Sequence, residues 1–468
     1  MNFYFETAQI LDRLDAKEGS IKGILSTLPN QNRSRTTALV IETLKYKAVL
    51  TEVIKASKLL AEERKKITSQ NLALVLVHDL ILAKGIQAGD GPVKQAVLRH
   101  KARLHSEFQR MKIKRGVKSN VELADTAKIP RYVRVNTSQW TIGEAIASYI
   151  SLGFDLSGPF PSNKGFAQDD HIPNLLLFNP DHQFHDDACY KSGKIILQDK
   201  ASCFPAHILA PPASDRSVVI DATAAPGNKT SHLSALMQNK GKLFAFERDK
   251  KRFSTLNMML ARAACKNVET VNADFLTIEP TNPKYAATTH ILLDPSCSGS
   301  GIVNRLDYLL EAENDESTDQ ERLNKLSVFQ LKMIKHAMKF PRVQKIVYST
   351  CSVHAAENEH VVCQALKSDE AQRNHFKLAL KSQVLPSWHR RGLSEEVDIG
   401  VDSSSLIRCN PGEDATNGFF VSCFVRMDAN DSIEDSSVKN KRKGKHTRDD
   451  EPRTSKKKKG NLNSDIRT

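Results

Sequence analysis

The chain has 468 residues, enough to bury a sizeable core and to divide into two or three domains, and its formal charge of +14 points to a polyanionic partner, because clustered Lys and Arg release counterions from phosphates. No run of about eighteen uncharged apolar residues exists, and the opening MNFYFETAQILDRLD carries acids where a leader would carry bases, so no membrane partner and a place in the cytosol or nucleus are expected. The eight cysteines form no CxxC pair and no zinc-like spacing, which predicts free thiols and no metal.

Residues 1–120 lack strand punctuation, and their apolar residues recur at spacings of three and four, as in Val49, Val53, Ala56 and Leu60 or Leu72, Val75, Leu76 and Leu80, which predicts helices. The segment 92–118 carries nine Lys and Arg against the single acid Glu107; a phosphate-tracking helix with a basic exit and a helix that solvates one charged face explain this equally well. From residue 129 the texture changes to PRYVRVNT, a helix over 142–152 and NLLLFNP, the pattern of a small α/β unit. In DHQFHDD, His182 and His185 read as exposed loop residues rather than a metal pair.

From residue 216 onward SVVIDAT, KLFAFE, VETVNAD, THILLD, KIVYST and GFFVSCFVR alternate with helical stretches, predicting a largely parallel sheet covered on both faces. The acid-rich stretch 311–321 reads as an exposed loop. Residues 439–468 hold twelve Lys and Arg against four Asp and Glu with almost no apolar residue, so this tail reads as disordered, serving nuclear or nucleolar targeting or loose RNA binding unless it is an inert solvated tail. The resulting domain boundaries are a helical, basic RNA-binding domain at 1–125, a small α/β domain at 126–205, a catalytic domain at 206–428 and a tail at 429–468.

Ligands of parallel sheets bind at the carboxyl ends of the strands. The first run ends at Asp221 and is followed by ATAAPGNKTSH, whose small residues and Gly227 let the backbone approach a ligand before a helix opens near Asn228. It is neither GxGxxG nor GxxxxGK, which argues against a dehydrogenase and against ATP. The second run ends at Glu247, where a carboxylate can accept from ribose hydroxyls, and the third at Asp274, where one can accept from an adenine amine while Phe275 covers the ring, or can simply cap the next turn. Taken in series these ends predict an adenosine pocket, with methionine-linked adenosine as its occupant.

The fourth run gives Asp294-Pro-Ser-Cys297 and the fifth Ser349-Thr-Cys351, placing two thiols and an acid at adjacent strand ends facing one site. Carbon 5 of cytosine is not nucleophilic, so a thiolate must first add to carbon 6 while an acid takes up charge at N3 and the amino edge, and a base must later remove the carbon 5 proton. Cysteine and aspartate fit the first two tasks, but spacing does not choose between Cys297 and Cys351. His354 and Glu357 open the following helix and either cap it, the favoured reading, or support the nucleophile's loop.

These residues resemble the Sun family of RNA (cytosine-5) methyltransferases over roughly 90–427, through PRYVRVNT at 130–137, ILQDKAS at 196–202, DATAAPGNKT at 221–230, DPSCSGSG at 294–301, YSTCSVHAAENE at 348–359 and NGFFVSCFVR at 417–426. The resemblance implies an α/β, Rossmann-like class I fold dependent on S-adenosyl-L-methionine, preceded by a small RNA-recognition-like domain. It implies Cys351 as nucleophile, Cys297 in product release and Asp294 as the catalytic acid. It further implies that Ala224, Ala225, Pro226, Gly227, Asn228, Lys229, Thr230, Glu247, Arg252, Asp274 and Asp294 line the cofactor site. Whether Lys229 meets phosphate, substrate or the motif acids stays open.

Ser296 and Asn228 depart from the DPPCSG and APGGKT of many members and, with RHKARLHSEFQRMKIKRGV at 99–117, resemble the eukaryotic branch acting on large-subunit ribosomal RNA. That branch implies rRNA, free or in pre-ribosomal particles, as partner and the nucleus and nucleolus as location. The alternative is a non-catalytic ribosome-assembly RNA-binding protein on the same scaffold. DNA methylation is disfavoured, since such enzymes carry their nucleophile in the fourth-strand motif.

Overall fold

The computed structural model describes residues 1–427 except 17, 19–20, 29–32, 118–119, 121–122, 124–128, 303–315 and 412. The expected tail at 429–468 and the first half of the acid-rich stretch lie outside the described residues.

The N-terminal part is helical, as its spacing predicts, and is organised around Gln70–Leu82. This helix is apolar on nearly every side (QNLALVLVHDLIL), so it must be surrounded, and helices Asn2–Asp15, Arg33–Lys45, Lys47–Ala56 and Lys101–Lys114 pack against it. Its polar members are answered inside the bundle: Tyr4 donates its hydroxyl to Asp79 at 2.6 Å, and His78 Nδ1 meets the other oxygen at 3.1 Å. The basic segment breaks at His100 into Pro92–Arg99 and Lys101–Lys114. Much of its charge is matched locally or by acids distant in sequence, with Arg99 on Glu63, Arg103 on Glu62, Arg110 on Glu107 and Arg115 on Glu52 at 2.6–3.0 Å. Such exposed pairs add little stability but reduce the field offered to phosphates.

A four-stranded antiparallel sheet follows, built of β1 (Arg131–Val135), β2 (Phe166–Gln168), β3 (Leu175–Phe178) and β4 (Ile195–Leu197) in the order β2-β3-β1-β4. Alternation along β1 sends Val133 and Val135 into a core with Tyr149, Phe166 and Phe178, while Tyr132 and Arg134 face the larger sheet. Helix Ile142–Ser151 closes that core and begins with a capping box between Thr141 and Glu144.

The larger sheet holds β5 (Val218–Asp221), β6 (Lys242–Phe246), β7 (Val268–Val271), β8 (His290–Leu293), β9 (Lys345–Thr350), β10 (Phe376–Leu378), β11 (Ile407–Cys409) and β12 (Phe419–Arg426). Its order is β10-β12-β9-β8-β5-β6-β7, with β11 also on β12. The strands from β5 to β9 pair in parallel, whereas β12 runs antiparallel to β9, β10 and β11. Val219, Leu292 and Val347 face helices Lys200–Leu209 and Asn228–Leu236, and Ile220, Ile291 and Ile346 face helices Glu316–Met338 and Glu359–Lys367, so both faces are covered. This is the expected class I fold. Glu316–Met338 corrects the expected loop at 311–321: its described part opens a long helix, whose apolar residues at Met333, Ile334, Ala337 and Met338 supply the packing that holds it. Among the described residues no helix is long and apolar enough to cross a membrane.

Two buried polar side chains join the small sheet to the large one. Arg134 is fully buried and donates to Gln198 at 2.7 Å, Ser231 at 2.8 Å and the Asn228 carbonyl at 3.2 Å, and burial pulls its pKa down to about 10. Asn136 donates to the carbonyls of Gly193 and Ala263 at 3.0 and 2.8 Å. Gly193 has φ +79, and a Cβ there would lie 2.0 Å from the Arg262 carbonyl oxygen. Gly193→Ala therefore costs about 2 kcal/mol or more, seen as a lower denaturation midpoint; an unchanged midpoint would show that the contact yields freely.

Candidate active site

The order β6-β5-β8 reverses the winding of the sheet at β5, and at such a switch the flanking connections part and leave a crevice at the carboxyl ends. A cavity of about 400 Å³ lies there. Its wall is made by Ala222 and Thr223 after β5, Phe246 at the end of β6 with Glu247, Arg248 and Arg252 after it, Ala273, Asp274 and Phe275 after β7, Asp294 to Cys297 after β8, Cys351 after β9, and Phe329 and Met333 from the helix Glu316–Met338.

At one end, the Glu247 carboxylate is nearly buried and oriented by the Asp249 amide, which donates to it at 2.8 Å, and by Arg252 at 3.5 Å. Arg252 also donates to the Ala225 carbonyl at 2.8 Å, tying this strand end to the turn after β5. Asp274 caps the turn Phe275–Thr277, one oxygen accepting from the Leu276 amide at 3.0 Å, and it also lines the cavity, with Arg248 3.3 Å from its other oxygen. Phe275 lines the cavity and stacks on Phe340, centroids 5.7 Å apart.

The predicted turn at 224–230 supports the wall rather than forming it. Gly227 has φ +112, and its missing Cβ lets helix Asn228–Leu236 sit close to Leu256 and Met259. Asn228 turns away to donate to Leu197 in the small sheet at 3.3 Å. Thr230 donates to Asp221 at 2.7 Å; burial raises that carboxyl to about 6, and the hydroxyl and the Thr223 amide pull against the rise. Lys229 alone of the turn reaches the chemistry, donating to Asp294 at 2.6 Å and to Ser202 at 3.1 Å, which answers the question left open for it.

At the other end the sulfurs of Cys297 and Cys351 stand 3.1 Å apart. The loops bearing them are laced together: the Gly301 amide donates to the Cys351 carbonyl at 2.9 Å, and the hydroxyls of Ser298 and Ser352 meet at 3.1 Å. Gly301 also packs against Gly418, whose carbonyl oxygen would be 2.2 Å from an added Cβ, so the strand β12 sets the height of the Cys297 loop. Asp294 accepts from Ser349 at 2.7 Å as well as from Lys229.

Cys297 is held well above the ordinary thiol range, first by its hydrogen bond to Cys351, then by burial, the charge of Cys351 and the carboxylates Glu357 and Asp294. Burial pulls the Lys229 ammonium down, but Asp294, by charge and hydrogen bond, and then the charges of Cys351 and Asp221 outweigh it, leaving Lys229 above the usual lysine range. The same attraction favours negative charge on the Cys351 sulfur.

Two expectations for the loop after Cys351 are corrected. His354 precedes the turn Ala355–Glu357 without any side-chain cap bond. Glu357 is not a helix cap either: fully buried, it accepts from the Ser298 amide at 2.9 Å and from Gln330 at 2.9 Å, because the helix bearing Gln330 and the Cys297 loop leave it donors and no water. His185 is exposed beside Asp186, whereas His182 is packed among Phe154, Phe178 and Phe184 rather than lying free in a loop. Sequence reasoning missed Ser349, Gln330, Arg248, Phe329 and Met333 as site residues. The i, i+4 pair Phe329 and Met333 was the available signal, in a stretch without punctuation.

Three family models match the chain: 16S rRNA methyltransferase RsmB/F over residues 206–425, the NSUN5 (NOL1/NOP2/Sun domain family member 5) N-terminal domain over 35–124, and the NSUN5 ferredoxin-like domain over 129–198. The 25S rRNA (cytosine-C(5))-methyltransferase rcm1 of Schizosaccharomyces pombe is 45% identical over 426 residues, 90% of each chain. The 28S rRNA (cytosine-C(5))-methyltransferase of Mus musculus is 40% identical over 443 residues, 92% of each. Among solved structures, a methyltransferase homolog protein from Pyrococcus horikoshii shares the fold at TM-score 0.52 and 20% identity, covering 79% of this chain and 99% of that one.

Because thiolate is the reacting form, Cys297 should be alkylated by iodoacetamide at least roughly tenfold more slowly than free cysteine near pH 8, as read by peptide mass spectrometry. Labelling at the rate of free cysteine would contradict the field assigned to it.

Proposed function

The chain belongs to the Sun family of rRNA methyltransferases, in the branch of the 25S and 28S rRNA (cytosine-C5) enzymes, and from that premise we propose that it methylates carbon 5 of a cytosine in large-subunit ribosomal RNA using S-adenosyl-L-methionine. The observation that carries the proposal is the pair of sulfurs 3.1 Å apart at the end of a cavity whose wall includes Asp294, itself paired with Lys229.

The cavity fits the cofactor by its donor set. Glu247 is oriented at a strand end to take ribose hydroxyls, Asp274 lines the wall where an exocyclic amine needs an acceptor, and Phe246, Phe275, Phe329 and Met333 supply apolar surface for a ring. Arg252 braces Glu247, and the turn 224–230 positions Lys229 and the wall residues Ala222 and Thr223. When bound, S-adenosyl-L-methionine supplies the methyl group that carbon 5 receives.

The target base must leave its stack to reach thiols at this depth. Cys351, whose charge Lys229 favours, adds to carbon 6. The Asp294–Lys229 pair takes up the charge that develops along N3 and the amino edge, and Ser349 fixes the carboxylate in place for this. After transfer, carbon 5 gives its proton to a base, the electron pair restores the carbon 5–carbon 6 double bond, and the carbon 6–sulfur bond breaks with its pair returning to Cys351. Cys297, kept as a neutral thiol, donates to that departing sulfur and so resolves the adduct.

A large-subunit rRNA substrate, free or in pre-ribosomal particles, places the protein's work in the nucleus and nucleolus. The exposed, locally unmatched Lys101 and Lys114 remain available to phosphates within the mostly paired basic segment.

Cys297→Ala protein should accumulate a cofactor-dependent covalent RNA adduct and Cys351→Ala should abolish it; an adduct that survives Cys351→Ala reverses the assignment. Bisulfite sequencing of total rRNA from cells lacking the protein should show one cytosine mark lost from the large subunit. An unchanged pattern would move the account to the non-catalytic assembly reading.

A further inference from the structure

The two sulfurs are separated by a distance that no covalent bond sets, so something in the surrounding fold must set it. The turn that follows Cys351 carries two consecutive residues with no exposed surface, Glu357 and Asn358, and each is bonded to the chain beside a different cysteine.

Asn358 serves Cys351. It accepts from the Thr350 hydroxyl at 2.6 Å and donates to the Ser352 carbonyl at 3.0 Å, so its one amide grips the residue before and the residue after the thiol. Glu357 serves Cys297 together with Gln330. The Ser298 amide donates to Glu357 at 2.9 Å, Gln330 donates to Glu357 at 2.9 Å and to the Ser296 carbonyl at 3.1 Å, and so Cys297 is gripped from both flanks in the same way. Tyr348 locks this second grip, donating to the Glu357 carbonyl at 2.5 Å within 3.1 Å of the Gln330 side-chain oxygen. Gln330, Tyr348 and Glu357 are all at 0% exposure, and the Gln330 amide nitrogen donates in two directions, to Glu357 and to Ser296, which a packing role alone would not require.

We infer that the 357–358 turn, with Gln330 and Tyr348, is a positioning device that holds each cysteine to a separate step, Asn358 setting Cys351 for formation of the adduct and the Gln330–Glu357 pair setting Cys297 for its release. None of these side chains lines the cavity, so each acts through the cysteine it holds. The field agrees with the geometry, since after the Cys351 hydrogen bond, burial and the Cys351 charge, Glu357 adds to the effects that keep Cys297 a neutral thiol. The inference rests on the covalent route proposed above.

The test compares Gln330→Met, Tyr348→Phe and Asn358→Ala with Cys297→Ala in the full chain, measuring the rate of adduct formation in a single turnover and the steady-state rate of methylation on the same rRNA fragment. Gln330→Met should form the adduct at close to the normal rate yet turn over roughly tenfold or more slowly, with adduct accumulating, and Tyr348→Phe should do the same to a smaller degree. Asn358→Ala should slow formation itself, with no accumulation. A merely structural role would lower both rates together in every variant, and that result, or normal rates throughout, overturns the inference. Should Gln330→Met fail to fold, Tyr348→Phe, which changes no shape, decides between the same two outcomes. If Cys297→Ala gathers no adduct, the covalent route itself has failed; if it does and Gln330→Met and Tyr348→Phe do not, only the positioning inference falls.

Discussion

One ion pair lets the rest of this site exist. Asp221, Asp294, Glu357 and two thiols gather at the carboxyl ends of three adjacent parallel strands and the turn behind them, and burying so much potential negative charge without compensation would be prohibitive. The Lys229 ammonium, 2.6 Å from Asp294 and 3.1 Å from Ser202, supplies the compensation, and its position follows from the tight turn after β5, which starts a helix one residue before it. Asp221 shows how narrow the margin is, since burial raises its carboxyl to about 6 despite two hydrogen bonds. Lys229 interacts by charge with Cys351, and Glu357 adds to the effects that hold Cys297 above the ordinary thiol range.

The cofactor end and the thiol end are joined by elements that approach without side chains between them. Gly227 brings the helix after β5 against the helix after β6, and Gly301 meets Gly418 so that β12 sets the Cys297 loop. The small sheet is part of the same construction, because Arg134 donates to Ser231 and to the carbonyl of Asn228, the residue before Lys229. A buried guanidinium without a carboxylate partner is an expensive way to join two sheets, and it ties the small sheet to the start of the helix that carries Lys229.

Most of the parallel strands and the residues at their ends were legible because a strand buried on both faces reads as a short apolar run, and β5, β6, β8 and β9 each place a polar residue at or right after the end of that run. The antiparallel course of β12 was not legible, since GFFVSCFVR carries no mark of direction. Nor was the local cancellation of the basic segment, whose partners Glu52, Glu62 and Glu63 come from a different part of the helical bundle. Glu357 looked like a cap because a Glu opening a helix commonly is one; only the arrival of Gln330 and Ser298 beside it reveals another use. The acid-rich start of Glu316–Met338 concealed a helix whose packing residues come later in it. What sequence could not do was separate Cys297 from Cys351, because both follow a strand and differ only in neighbours brought from elsewhere.

That separation is the central claim, and trapping on the unaltered protein tests it most directly. An rRNA fragment whose target cytosine carries fluorine at carbon 5 has no proton there to lose, so the thiol that adds to carbon 6 stays attached after methyl transfer. Digestion and mass spectrometry of that complex should find the nucleotide on the peptide containing Cys351; a nucleotide on the Cys297 peptide would contradict the account.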